Sequence, residues 1–246
     1  TTIVVSSSLV FTSVGSTIAS AATVVSDENE TQQELSSNDY GLADNCQDGA
    51  ILHAWCWSFN TIKENMKEIA ESGYTSVQTS PAQECLQGLK GNNPSLDNKN
   101  TPDGKENWYY HYQPTSFTLG NYQLGTADEF EAMCREAKKY GLKVIVDIVA
   151  NHISDTTSKC DQELVNNCHN QGKIMPNEWN NRVRVTQGDL IGMPDLNSES
   201  AIIQKKVLDY MKECVNRGAD GFRFDAAKSI ALPVDSNNSQ FWPTII

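Results

Sequence analysis

The run Lys143-Val144-Ile145-Val146-Asp147-Ile148-Val149-Ala150 constrains this chain more than any other stretch. It is apolar at both odd and even positions, as a strand is when helices cover both faces of a parallel sheet. Three further stretches read as strands: Ala50 to Trp57, Thr75 to Ser80 before Pro81, and Gly221-Phe222-Arg223-Phe224-Asp225 with its period of two. Helical patterns lie between them. Thr61-Ile62-Lys63-Glu64 has the capping-box form, with Ile62, Met66, Ile69 and Ala70 on one face and Gly73 as the stop. Thr126-Ala127-Asp128-Glu129 is a second box, followed by Phe130, Met133, Cys134 and Ala137, and stopped at Gly141. A third helix starts near Ser198, carries Ile202, Ile203, Val207, Tyr210, Met211 and Cys214, and ends at Gly218. Alternation with right-handed crossovers predicts a parallel α/β sheet, open or closed. About 45 polar residues between His152 and the third helix are too many for an ordinary connection and read as an inserted subdomain, about 153–197. A long polar loop is expected from Pro81 to about Asn107, and no terminal helix after Phe241.

Composition narrows the partners. The formal net charge is −12 with scattered basic residues, which argues against nucleic acid and against an anionic membrane surface. Seven cysteines leave at least one thiol free or paired between chains; Cys160 and Cys168 are spaced for a small disulfide loop, while Cys56, Cys134 and Cys214 read as buried thiols. No CxxC pair suggests zinc. Residues 3–25 carry no charge, and Ile18-Ala19-Ser20-Ala21-Ala22 has the small-residue form of a signal-peptidase site. Residues 1–22 are therefore read as the remainder of a secretion signal, 23–45 as a flexible linker, and 46–246 as the folded part of the chain, soluble and extracellular once the signal is removed.

Polar residues gather where the strands end: Gln78 to Ser80, Asn151 and His152, then Asp225 and Lys228. In parallel α/β sheets that edge is where sites are built. No phosphate-binding glycine loop opens the first helix, which disfavours a nucleotide. Arg223 and Asp225 fall on one face of their strand, either as a structural ion pair or as a carboxylate kept ionised for nucleophilic work. Trp108, Tyr109 and Tyr112 lie in polar surroundings and suit a platform for the flat faces of sugar rings, core aromatics being the plainer reading.

Three ordered motifs, Asp147-Ile148-Val149-Ala150-Asn151-His152, Met193-Pro194-Asp195-Leu196-Asn197 and Gly221-Phe222-Arg223-Phe224-Asp225-Ala226-Ala227-Lys228, together with Tyr112-Gln113-Pro114 and Gly120-Asn121-Tyr122, give a chain that resembles the α-amylase family of glycoside hydrolases from about Gly49 onward. It looks most like the secreted bacterial members. The resemblance implies the N-terminal half of a (β/α)8 TIM barrel with a small domain inserted after the third strand. It implies Asp225 as nucleophile, Arg223 as its orienting partner, and Trp108, Tyr109, Tyr112, Gln113, His152 and Lys228 as substrate contacts, with Asp147 as a buried organiser. A structural calcium is implied at Asn151, Thr186, Asp195 and the backbone carbonyl of Ser229, and a less general one at Gly218 and Asp220, all hard oxygen donors. The expected activity is retaining hydrolysis of internal α-1,4-glucosidic bonds in starch or malto-oligosaccharides by a monomer. A glucosidase, a transglycosylase and a non-catalytic carbohydrate-binding relative are the alternatives. Two departures stand out. Ser229 occupies a position where the family usually has histidine, so an imidazole contact to sugar is lost there. The family's general acid, a Glu after the fifth strand, is expected beyond Ile246, so the 246 residues alone are expected to be inactive.

Overall fold

A computed structural model describes residues 42–43, 48–87 and 108–246. The signal remnant, nearly all of the linker and most of the polar loop before Trp108 lie outside the described residues. Strands β1 (Ile51–Ala54), β2 (Ser76–Thr79), β5 (Lys143–Val149) and β6 (Gly221–Asp225) form one sheet in the order β1-β2-β5-β6, every pair parallel. All four were legible as strands. The apolar character of β5 has the expected cause: six of its residues, Val144 to Val149, are buried.

Helices α1 (Phe59–Glu64), α2 (Met66–Glu71), α3 (Ala127–Lys139) and α6 (Ala201–Asn216) supply the crossovers. The capping box of α3 is complete: the Thr126 hydroxyl accepts from the Glu129 N–H at 3.2 Å, and the Glu129 carboxylate accepts from the Thr126 N–H at 2.8 Å. That carboxylate also takes the Asn60 side-chain amide at 2.6 Å, tying α3 to α1. Below the tie, Phe130 meets Phe59 edge-to-face at 5.3 Å, both fully buried. Burying each such ring contributes about 1.5–3 kcal/mol.

The first helix corrects the sequence reading. Thr61 is not its cap; Ser58 is, accepting from the Thr61 N–H at 3.1 Å. The chain is already helical two residues before the box expected at Thr61, because Ser58 offers the same hydroxyl where the backbone is still extended. The helix also breaks in two at Asn65, whose side-chain amide donates to the Thr61 carbonyl at 2.8 Å and so competes with the backbone ladder. Ile62, Met66, Ile69 and Ala70 are nonetheless buried as one face.

Other differences are additions to the expected order. Where continuous loop was expected, β3 (Gln83–Cys85) pairs antiparallel with β4 (Pro114–Leu119), beside the main sheet. The amide of Gln83, fully buried, donates to the Val149 carbonyl at 3.0 Å and accepts from the Val149 N–H at 2.8 Å, standing in for a neighbouring strand at the end of β5. The insertion is less irregular than its composition suggested. It contains α4 (Gln162–Val165) and α5 (Arg182–Gln187), and its neck is closed by a β-bridge between His152 and Asp195. Cys160 and Cys168 are free thiols, each aimed at a nearby carbonyl, Ser154 or Thr156 for the first and Leu164 for the second, so the small disulfide loop does not form. Cys134 and Cys214 are buried as expected, whereas Cys56 is only partly covered. Phe241–Ile245 forms a short helix, α7, where none was expected. Pro243 sits in its first turn, where no N–H is needed, and Trp242 packs on Phe224 of β6 at 5.1 Å. Among the described residues no helix is long and apolar enough to cross a membrane.

Candidate active site

The parallel register decides which side chains meet. Asp147 is paired with Arg223 and Val149 with Asp225, so Asp147, Arg223 and Asp225 share one face of neighbouring strands. One guanidinium nitrogen, Nη1 of Arg223, lies 2.8 Å from Asp225 Oδ1 and 2.9 Å from each oxygen of Asp147. The pairing of Arg223 with Asp225 was expected from their spacing; its second carboxylate was not. The two acids differ in exposure: the Asp147 side chain is fully buried, while 21% of the Asp225 side chain reaches solvent. Burial pushes the Asp147 carboxyl up to about 7 against the pull of Arg223. Burial also opposes the charge on Arg223, but the carboxylates outweigh it and hold the guanidinium protonated.

The chain after β3 brings aromatics to the same end of the sheet. Trp108–Tyr112 is a short 3-10 turn. The Tyr112 hydroxyl donates to Asp147 at 3.1 Å, and burial followed by the nearby carboxylates raises its pKa. Trp108 and Tyr112 stand 5.9 Å apart, and Trp55, just past the end of β1, touches both at 5.3 and 5.9 Å. Trp55 was read only as part of a buried strand; its half-exposed place in this wall was missed, although an aromatic just past a strand end was the available signal. Tyr109 leans on Tyr110 at 4.6 Å, and the Gln113 amide oxygen accepts from Ser154 at 3.2 Å, linking the turn to the insertion.

His152 is buried, with Nε2 3.0 Å from the Tyr112 carbonyl and Nδ1 3.2 Å from Asn151 Oδ1. Asp225 is near enough to Tyr112 and His152 for its charge to act on both. Asp225, Tyr112 and His152 therefore converge at one end of the sheet. Lys228 is exposed on the turn after β6, its ammonium 5.9 Å from the centre of the Trp179 ring in the insertion.

Behind His152 lies an oxygen cluster. The Asn151 amide nitrogen contacts Asp195 Oδ1 at 2.7 Å and the Ser229 carbonyl at 3.2 Å, all three residues buried. Burial lowers the pKa of His152, so its ring is neutral and carries one proton. A proton on Nε2 suits the Tyr112 carbonyl and leaves Nδ1 as an acceptor facing another acceptor, Asn151 Oδ1. Turning the Asn151 amide over would relieve that contact. It would also turn a third oxygen toward Asp195 and the Ser229 carbonyl, where the amide nitrogen now donates. Three oxygens with no donor among them suit a hard cation. Thr186 lies on α5, which packs against the turn Ala227–Ser229, its hydroxyl donating to the Arg182 carbonyl at 3.0 Å. On its far side Asp195 accepts from His169 Nδ1 at 2.7 Å, and His169 Nε2 meets Glu199 at 2.9 Å. Among the described residues no three His, Cys, Asp or Glu side chains are grouped as a metal site, so any cation here rests on amide and carbonyl oxygens as well.

Gly218 and Asp220 sit at the opposite end of β6 from Asp225. The Asp220 carboxylate accepts from the Val144 N–H at 2.8 Å and its own N–H donates to the Val144 carbonyl at 2.8 Å, an edge-to-edge stitch between β5 and β6.

The α-amylase catalytic-domain family model matches residues 105–244, more than half of the sequence. The chain belongs to the α-amylase family. An α-amylase of Butyrivibrio fibrisolvens is 46% identical over 205 residues, which cover 80% of this chain and 20% of that protein. An α-amylase of Clostridium acetobutylicum is 39% identical over 226 residues, 86% of this chain and 27% of the relative. The chain thus spans about a fifth to a quarter of the length of these family members. Among solved structures, α-amylase I of the earthworm Eisenia fetida, in a mutant complex with maltohexaose, aligns with a TM-score of 0.64 at 23% identity, over 80% of this chain and 40% of that one. That likeness gives the fold of the family, and β1-β2-β5-β6 with their outer helices are the first half of its barrel.

Proposed function

We propose that this chain carries the nucleophile half of an α-amylase active site, in an enzyme that hydrolyses internal α-1,4-glucosidic bonds of starch and malto-oligosaccharides with retention of configuration. The observation that carries the reading is the division of labour around Arg223 Nη1. It holds a sealed carboxylate, Asp147, and an accessible one, Asp225, at 2.9 and 2.8 Å. Asp225 attacks the anomeric carbon, the bond to the departing glucan chain breaks as its oxygen takes a proton, and water later cleaves the resulting ester. Retention requires a second carboxyl about 5–5.5 Å from the nucleophile to protonate the leaving oxygen. Asp147 is not that group, because both its oxygens are committed to Arg223 and one also to Tyr112. We assign the role to a Glu after the fifth barrel strand. His152, Tyr112 and Gln113 bind the sugar at the cleaved bond, and Trp108, Tyr109 and Lys228 bind its neighbours. Trp55 joins this group on the evidence of its ring contacts.

Asn151, Asp195 and the Ser229 carbonyl would fit a calcium ion with the Asn151 amide turned over, since an Asp195 carboxylate oxygen and the Ser229 carbonyl already face that amide, and Thr186 is the fourth ligand of this reading. Held there, a calcium ion would tie the barrel residues Asn151 and Ser229 to Asp195 of the insertion's neck. Gly218 and Asp220 form the second, less general calcium position of this reading. The uncharged residues 3–25 and the small-residue run Ile18 to Ala22 support export, and the reading is of an extracellular monomer.

The test is starch hydrolysis by the full-length protein and by Asp225→Asn. The expected loss is about four orders of magnitude in kcat with an unchanged circular dichroism spectrum. Equal rates would remove Asp225 from the mechanism.

A further inference from the structure

The first residue of α5 reaches out of the insertion. Arg182 Nε lies 3.0 Å from both oxygens of Asp235, and Nη2 is 2.7 Å from Asp235 Oδ2 and 3.0 Å from the Ile230 carbonyl. Nη1 donates to the Lys228 carbonyl. One guanidinium thus takes the carbonyls on both sides of Ser229 and the carboxylate that closes the following loop, Asp235, which also accepts from the Leu232 N–H at 2.7 Å. Ser229's own carbonyl faces the other way, to Asn151. The segment so held directly follows Asp225, through Ala226 with its left-handed backbone at φ 49°. A non-glycine residue in that region keeps its conformation only when its surroundings impose it.

Lys228 is consequently gripped at two points, and both grips belong to the insertion. Its carbonyl is held by Arg182 and its ammonium lies over Trp179. By contrast Arg184, two residues along the same helix, bonds only within the insertion, to Glu178 and to the carbonyls of Gln171, Gly172 and Lys173. Only an arginine fork can bridge two carbonyls and a carboxylate at once; a lysine at 182 supplies the charge without the geometry.

We propose that Arg182 is a positioning residue for substrate binding. It fixes the turn after the nucleophile strand so that Lys228 is presented to the glucan on the insertion's flank of the cleft, and it acts on binding through Lys228 and not on the chemical step. The proposal rests on the glycosidase reading above. In the full-length enzyme, Arg182→Lys should raise KM for maltoheptaose about fivefold, the worth of a weakened charged contact, while leaving kcat within about twofold. The same substitution made in a Lys228→Met background should add nothing, because the residue it acts through is gone. Arg184→Met should leave KM alone.

Four kinetic results would overturn the proposal: an unchanged KM, a fall in kcat at constant KM, full additivity of the two substitutions, or an equal effect from Arg184→Met. A wild-type protein that hydrolyses no glucan sinks the glycosidase reading instead. Hydrogen exchange separates the two cases. Amides of residues 226–232 should exchange faster in Arg182→Met than in wild type and be unaffected by Arg184→Met. Unaltered exchange there would dismiss the positioning role whatever the activity.

Discussion

His111 makes the aromatic wall sensitive to acid. It sits inside the turn Trp108–Tyr112 with 1% of its surface exposed. Burial drives its pKa from the ordinary 6.5 down to about 3, with the Pro81 carbonyl opposing. An unfolded chain takes up this proton at about 6.5, the folded one only near 3. Between those values the unfolded state therefore binds one proton more, and stability falls as pH falls. At about 1.4 kcal/mol per pH unit the whole interval amounts to about 5 kcal/mol, of which about 2 is lost between pH 7 and pH 5. The assay is urea unfolding of the full-length protein and of His111→Phe at both pH values, followed by tryptophan fluorescence. The variant lacks the titrating ring, so its stability relative to wild type should improve by about 2 kcal/mol on going to pH 5. A gap that stays constant across the two pH values would refute the claim that a neutral, sealed imidazole underlies this turn.

Three further outcomes follow from the geometry. Gln83→Leu strands the N–H and carbonyl of Val149 and should cost about 2–6 kcal/mol in chemical denaturation, at about 1–3 for each unpaired group. Phe130→Ala empties a fully buried site against Phe59 and should cost about 3–5 kcal/mol, measured the same way. Removing divalent cations with a chelator should lower the melting temperature of the full-length protein, and Asp195→Asn should blunt that response; a melting temperature indifferent to chelator would count against calcium at Asn151 and Asp195.

What the sequence disclosed was whatever depends on long, regular pattern. β5 announced itself by unbroken hydrophobicity and α3 by Thr126, Glu129 and a four-residue apolar face, and both lie where the pattern put them. Arg223 and Asp225 were legible as a pair because strand period places them on one face. What stayed hidden depends on partners distant in the chain. β3 is three residues long and reads Gln-Glu-Cys; it becomes a strand only because β4 lies alongside. The Thr61 box matched a motif that Ser58 satisfied first. Asp147 as the second partner of Arg223 required the register of β5 on β6, which no local pattern encodes. Nothing in the local sequence distinguishes Arg182 from Arg184, and only the fold separates the one that reaches across from the one that stays home.

The insertion leaves the barrel at His152 and returns at Asp195, and those two residues are bridged. A loop whose two ends are already tied together can gain or lose residues at little thermodynamic cost, since its closure entropy grows only with the logarithm of its length. Strand spacing beneath it does not change when the tip does. This part of the molecule is thus a natural grafting point: new sequence placed at the exposed turn 175–177 would alter the insertion's outer surface while the carboxylates below keep their separation.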